Sequence, residues 1–442
     1  MWLSHSCHML RRFVDSHATA LAPCVALLAG VVALAVIYAR AYPLDDPIRG
    51  DVVGYYIYLP ATFLDRDVSL ERTIDRSFDG NPENTYSDLR RVDGGYLGPH
   101  QIGEAIMLAP FFAVGDLVAR ASDERRDGFS WPYQASVAAG GLLYGVLGLT
   151  LLGSFLRRWF DRAVVVATLL VLTFGTNLFH YLTYDAGYSH AFSFAVVAFV
   201  LWQTMRLADR PNAARAFALG LAVGLAGAIR PTNLLIVLFP LLVNIGSRSE
   251  AKHRVTTLAA RPHLFVAFAC GAFIPLAMQL LYWHHLTGDF IFNAYDADPR
   301  LELAHPHLID VAFSVRKGLL FWTPLVGLGV AGLFVLRGQA RGLLLPTAVF
   351  LALSFWFMAS WSEWWYGGSF GQRAFVESLP PLAIGIAALF AWARAGRALV
   401  PVGIAALVTT GLALHAMLAY WRGDIPFDGT TWGIYLDSFG WL

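Results

Sequence analysis

The residues best able to do chemistry in this chain are carboxylates and cations set among aromatics at the edges of apolar stretches. Asp45 and Asp46 precede Gly50-Asp51-Val-Val-Gly-Tyr-Tyr-Ile-Tyr58, and this segment opens a polar stretch in a chain otherwise dominated by apolar runs. Carboxylates are costly near a bilayer, so Asp51 is the first candidate for a general base, with Asp46 behind it. A carboxylate held near apolar surface can have a raised pKa and take a proton from a hydroxyl nucleophile. Tyr55 and Tyr56 follow it and can stack on a ligand or lie at headgroup level; the plain alternative is a hydrated loop acid beside an aromatic belt.

Four further constellations carry chemistry. Asp185 and His190 lie close together in Tyr184-Asp-Ala-Gly-Tyr-Ser-His190, with His180 nearby. They can orient a substrate or a base. Asp-x4-His is a metal-ligand spacing of low specificity, so a divalent ion stays open and unassigned; an ordinary capped helix end fits as well. Arg230 sits between two apolar segments and before Pro231. A lone arginine there needs an anion, and a lipid-linked phosphate fits its bidentate fork; snorkelling to the interface is the alternative. Arg316-Lys317 is a basic pair able to hold a phosphate headgroup or to anchor at the interface. Glu363 to Arg373 is the densest segment: Gly367, Gly368 and Gly371 allow close backbone approach, Trp361, Trp364 and Trp365 offer platforms for a sugar, and Arg373 can hold a phosphate.

Apolar elements must position all of these. Hydrophobic residues make up 57% of the 442, charged residues 14%, and the mean hydropathy is +0.54. A soluble domain carries about 25% charge. The net charge of +1 gives no sign of a nucleic-acid partner. Cys7, Cys24 and Cys270 are isolated, which suggests neither a disulfide frame nor a zinc site. The run 18–39 after Arg11 and Arg12 is too long for a typical signal peptide, despite Ala39-Arg40-Ala41, and reads as a retained anchor.

Spanning-length apolar runs recur near 18–39, 132–156, 163–181, 188–205, 214–229, 232–246, 263–284, 318–336, 342–360, 375–393 and 398–420, the pair around Arg230 being short for full spans. Arginines cluster at every second connection, which predicts a cytoplasmic N-terminus and places residues 40–130 and the loops carrying Asp185, Arg230, Lys317 and Arg373 on the extracytoplasmic face. The alternation requires that Ile102–Val118 not cross fully; Glu104, Pro110 and Asp116 suit a helix on or dipping into the outer face. The expected fold is an all-α polytopic membrane protein of about eleven transmembrane helices in a single integral-membrane domain. It has a large first extracytoplasmic loop over 40–130 with juxtamembrane helices, and no soluble C-terminal domain.

With those motifs in order, the chain resembles the GT-C superfamily of polytopic membrane glycosyltransferases, of the protein O-mannosyltransferase and lipid A aminoarabinose transferase type. The carriers are Gly50-Asp51-x-x-Gly-Tyr-Tyr, Tyr96-Leu-Gly-Pro99 through Ala109-Pro-Phe-Phe112, Thr183–His190, Ile229-Arg-Pro-Thr-Asn233, Arg316-Lys-Gly-Leu-Leu-Phe-Trp-Thr-Pro324 and Trp364–Arg373. The resemblance implies a bacterial inner-membrane enzyme that takes a sugar from a polyprenyl-phosphate donor. The acceptor would be a hydroxyl of a glycan, lipid or protein. It implies Asp51 as base, with Arg230, Lys317 and Arg373 on the donor phosphate. Arginine and lysine, or a divalent metal, would stabilise the leaving group. A lipid-phosphate leaving group needs no nucleotide cofactor, and no Rossmann or P-loop glycine pattern is present in the sequence. The competing class is a transporter or lipid flippase whose scattered Arg, Asp and His line a path; a structural assembly subunit is a weaker third.

Overall fold

The computed structural model describes residues 20–37, 46–293, 300–396 and 398–440. Asp45, Arg11, Arg12 and the Ala39-Arg40-Ala41 signal lie outside the described residues. Helix dominates the described residues. Its long elements are α1 (Leu21–Val36), the short α2 (Asp51–Tyr56), α3 (Gly103–Ala121), α4 (Trp131–Leu156), α5 (Arg162–Phe174), α6 (Ser189–Asp209) and α7 (Ala213–Ile229). These are followed by α8 (Pro262–Thr287), α9 (Leu325–Leu333), α10 (Leu344–Ala359), α11 (Leu379–Ala395) and α12 (Leu399–Arg422).

Six helical stretches among the described residues are long and apolar enough to cross a membrane: Trp131–Leu156, Ser189–Asp209, Pro262–Thr287, Gly338–Ala359, Arg373–Ala395 and Leu399–Arg422. This is the architecture of an all-α membrane protein. The remaining apolar runs are helical too, but shorter or broken. The run 163–181 stops at Phe174, with a separate turn over Leu178–Leu182; 232–246 divides between a 3-10 helix and a short α-helix; 318–336 breaks at Thr323-Pro324. A proline removes a backbone donor and disfavours helix in the residue before it, which accounts for the Thr323-Pro324 break. Burial differs sharply between the long helices. Arg373–Ala395 is surrounded on nearly all sides, whereas Pro262–Thr287 and Leu399–Arg422 leave most of their apolar residues uncovered, the pattern of elements whose solvent is lipid.

The polar segment 46–130 folds over one end of the helices. It contains α2, short helical turns, a hairpin of β1 (Arg90–Val92) and β2 (Gly95–Leu97), and α3. Ser87 clips the first turn of α2: its hydroxyl donates to the Gly50 carbonyl and accepts from the Gly54 N–H at 3.0 Å. Tyr56 Oη donates to the Gly128 carbonyl at 2.6 Å, tying α2 to the α3–α4 connection. The segment 102–118 forms one helix despite Pro110, and it runs antiparallel along α4, with Tyr144 Oη donating to the Met107 carbonyl and Tyr133 Oη to Asp116.

Candidate functional site

Six segments meet at one buried charge cluster. From α2 comes Asp51, at the start of the helix. From the hairpin's exit comes His100, held close because Gly54 has no side chain: a Cβ there would lie 2.4 Å from His100 Nδ1. The start of α3 brings Glu104. Gly103 lets that helix end abut α7, where a Cβ would stand 2.3 Å from the Ala228 carbonyl carbon. The start of α6 brings His190. The fifth contribution comes from the 3-10 turn Arg373–Ser378 ahead of α11, which carries Arg373 and Glu377.

Arg230 enters from the end of α7. Pro231 forces the preceding residue into extended backbone, and Arg230 has φ −148° and ψ 125°. The helix therefore ends there, and the side chain turns into the cluster.

The contacts are specific. Arg373 Nη1 stands 2.7 Å from Asp51 Oδ2, and His100 Nε2 is 4.0 Å from Asp51 Oδ1, beyond hydrogen-bond reach. His190 Nδ1 lies 3.0 Å from Glu377 Oε1, and Arg230 Nε lies 3.5 Å from the same oxygen. The imidazole therefore donates to the carboxylate through Nδ1–H, and the 3.5 Å approach of Arg230 Nη1 to that nitrogen is a contact between donors. The Arg373 guanidinium stands over the Tyr188 ring at 5.6 Å, Tyr188 stacks on His190, and Tyr55 meets His100 edge-on at 4.5 Å. Asp51 is 33% exposed, Arg230 19% and Arg373 14%, so the two cations and the base reach the edge of the cluster while the acids Glu104 and Glu377 lie beneath.

Several polar atoms in this cluster have no hydrogen-bond partner among the described residues although they are buried: both carboxyl oxygens of Glu104, Glu377 Oε2, Arg373 Nε and His100 Nδ1. Native interiors rarely leave such atoms unmet, and a group of them in one place marks a position where something else must supply the bonds.

The electrostatics revise one expectation. Burial alone would raise the Asp51 carboxyl, but the Arg373 guanidinium, with His100 and His190 behind it, outweighs burial and brings it down to about 2. The raised pKa expected of Asp51 belongs instead to Glu104. Burial, together with the Asp51 carboxylate, pushes Glu104 well above the usual range against the opposing Arg230. Burial and the Asp51 carboxylate thus favour the protonated form of Glu104.

The other residues singled out from sequence have different surroundings. Asp185 accepts from Arg49 Nη2 at 2.6 Å and from His180 Nε2 at 2.7 Å. His180 Nδ1 accepts from Trp421 Nε1 at 2.9 Å, which fixes the neutral tautomer with its proton on Nε2. Lys317 is fully buried, and its Nζ donates to the Ser369 carbonyl and, at 2.7 Å, to that of Phe427. Its neighbour Arg316 forms a two-pronged pair with Asp428 at 2.9 and 2.8 Å. Lys317 is therefore a clip between segments and presents no free head to a phosphate.

Trp364 receives the Gln372 amide on its carbonyl at 2.9 Å and braces the loop before Arg373. Tyr56 is buried with its hydroxyl spent, facing away from Asp51's partners. Asp46 is exposed, its carbonyl accepting from Arg49 at 3.2 Å, and it makes no hydrogen bond or ion pair with the cluster.

The structure therefore joins Asp51, Tyr55, His190, Arg230 and Arg373, and leaves Asp46, Tyr56, Asp185, Lys317 and Trp364 in supporting positions. Glu377 and His100 were not anticipated, and Glu104 was anticipated only as an interfacial residue. A lone acid inside an apolar run is the same signal that singles out Arg230, and it applies equally to Glu104 and Glu377.

Among the described residues, no group of three or more His, Cys, Asp or Glu side chains converges as a metal site. Two hollows lie elsewhere. One, of about 700 Å³, is lined by Leu21, Val166 and Leu170 with Asp161, Arg162 and Arg394 at its rim, at the opposite end of α11 from the cluster. The other, of about 270 Å³, is walled by Tyr184, Tyr420, Trp421 and Phe427 beside the Asp185 network. No protein-family model matches the chain, and no curated protein matches it.

Proposed function

We propose that the chain is a membrane glycosyltransferase of the GT-C type, moving a sugar from a polyprenyl-phosphate donor to an acceptor hydroxyl on the extracytoplasmic face of the bacterial inner membrane. The observation that carries this reading is the convergence of one accessible carboxylate, Asp51, with two guanidinium heads, Arg230 and Arg373, amid buried polar atoms that lack partners. Two arginines suit a phosphate that departs with the bonding electrons, and a carboxylate suits the proton of an attacking hydroxyl.

In the reaction the acceptor oxygen forms a bond to the anomeric carbon, and the bond from that carbon to the phosphate oxygen breaks. The hydroxyl proton passes to Asp51. The electron pair leaves on polyprenyl phosphate, against Arg230 and Arg373. Tyr55, Tyr188 and His190 form the aromatic wall, and His190 is oriented by Glu377.

The test is direct. The full chain in lipid nanodiscs is supplied with polyprenyl-phosphate-linked hexoses and pentoses and a mixture of acceptors, and free polyprenyl phosphate is followed. Release that depends on acceptor and disappears in Asp51→Asn supports the reading. Movement of intact lipid-linked sugar between leaflets without any release makes the chain a transporter instead.

A further inference from the structure

We infer that Asp51 occupies the phosphate seat of Arg373 in the free protein, so that a phosphate-bearing ligand releases the base as it binds. This rests on the reading of Arg373 as a phosphate-binding residue and adds an order to it: the phosphate arrives first, and only then is Asp51 free to take a proton.

Geometry supports the exchange. The closest approach of Arg373 to Asp51 is Nη1 to Oδ2 at 2.7 Å, and its Nε is buried without a hydrogen-bond partner among the described residues. The guanidinium fork can grip an oxyanion through two parallel bonds, and here it is only partly used. Tyr188 covers one face of the guanidinium and limits its retreat.

Charge counting gives the direction. Asp51 and Glu377 face Arg230 and Arg373, two carboxylates against two cations, and burial favours the protonated form of Glu104 beside them. A phosphate added to this set without rearrangement would put three anions on two cations in a partly buried site, which is unfavourable. One carboxylate must yield. Glu377 is 5% exposed and also holds His190, whereas Asp51 is 33% exposed and, among the described residues, is held closely only by Arg373, with His100 at 4.0 Å. Asp51 is the one able to turn toward water. Once Arg373 is shared with phosphate, the influence that keeps Asp51 a weak base is reduced, and its basicity rises when the acceptor needs it.

The model makes an unusual demand: neutralising an acid near the phosphate seat must strengthen phosphate binding while abolishing transfer. The experiment measures binding of a polyprenyl phosphate, and separately of inorganic phosphate, to the full chain in phosphatidylcholine nanodiscs. Asp51→Asn should bind roughly tenfold more tightly than wild type. Arg373→Ala should bind at least roughly tenfold more weakly. In the double variant the gain from Asp51→Asn should vanish, because the seat it competes for is gone.

Asp51→Ser serves as a second variant should Asp51→Asn fold poorly, with the thermal midpoint as control. Unchanged or weaker binding in the folded Asp51 variants, together with weakened binding in Arg373→Ala, overturns the exchange and leaves the phosphate reading standing. Equal binding by wild type and Arg373→Ala overturns the phosphate reading itself. A gain with both probes shows that the seat reads phosphate from either source, and a gain with the lipid alone assigns it to the lipid-linked phosphate; both uphold the exchange.

Discussion

The Asp185 network and the Asp51 cluster are neighbours through Tyr188, and both set carboxylates against arginine, yet their hydrogen bonding differs. Asp185 is 6% exposed, accepts from Arg49 and His180, and His180 in turn accepts from Trp421. The chain of donors and acceptors closes. Around Asp51 it does not: Glu104, Glu377, Arg373 and His100 each leave a buried polar atom unmet. A closed polar network specifies a local structure, whereas an open one is poised for a missing partner. Satisfaction, more than charge or burial, separates the two regions.

The contrast breaks most visibly in a pair of isosteric changes. Asp51→Asn is expected to lower transfer by at least ~10²-fold, because it removes the base and keeps the shape. Asp185→Asn should do the reverse. It removes the charge that holds Arg49, and losing one partner of a buried pair costs about 3–5 kcal/mol, so thermal stability falls first. Turnover assays and melting curves on both variants check this. An Asp185→Asn protein as stable as wild type but inactive would move the catalytic role to the second network.

Arg373→Lys comes next in size. A lysine keeps the charge and loses the fork, so donor affinity should drop tenfold to hundredfold, corresponding to about 1.5–3 kcal/mol for a charged hydrogen bond. Lys317→Met should leave donor affinity near that of wild type, since its Nζ is already committed to two backbone carbonyls. Equal losses in the two variants would restore Lys317 to the phosphate site.

Glu104 sharpens the comparison from the side of stability. Its carboxyl has no hydrogen-bond partner among the described residues. Glu104→Leu should therefore fold at least as stably as wild type, with an expected gain of about 1–3 kcal/mol from removing an unsatisfied buried polar group. Substitution of His180 by leucine should destabilise, because Trp421 and Asp185 each lose a partner. Calorimetric or fluorescence melting of the two variants gives opposite signs if the distinction holds.

Much of this was legible in the sequence, and the parts that were not share a cause. Composition and apolar run length gave the all-α membrane class, and six runs became single helices of crossing length. The interruptions at Phe174 and Thr323-Pro324 are local backbone effects that a hydropathy window averages away. The rule that a lone charge in an apolar setting needs a partner pointed to Arg230, the dense glycine and tryptophan segment pointed to Arg373, and Asp51 stood out as a carboxylate at a membrane edge; the structure sets the three in one cluster. The partners of Lys317 and Asp185 were not legible, because a sequence shows that a charge needs a partner and not whether the chain itself provides one. Ser369 and Phe427, which satisfy Lys317, lie 52 and 110 residues away. Glu104 was taken as a mark of an interfacial helix, since its position gives no hint that Gly103 docks α3 against α7.

A pH dependence is expected that belongs to the clip and not to the open cluster. Burial pushes the Lys317 amine down, with Asp428 opposing it, to about 7 from an ordinary value of 10.5. Above pH 7 the folded chain therefore holds Lys317 as a neutral amine, which has two N–H donors for the two carbonyls it meets. The unfolded chain keeps its extra proton until about pH 10.5. Between these limits the unfolded state binds more protons, so folding stability rises with pH, by at most about 1.4 kcal/mol per pH unit. Below pH 7 both states are protonated and this contribution is flat. Melting curves should thus shift upward from pH 7 to pH 9 in wild type, and the slope should disappear in Lys317→Met. A slope that survives the substitution would place the titrating group elsewhere. A slope that vanishes instead in Asp51→Asn would tie the pH response to the cluster, and the division between a satisfied clip and an open site would fail at that point.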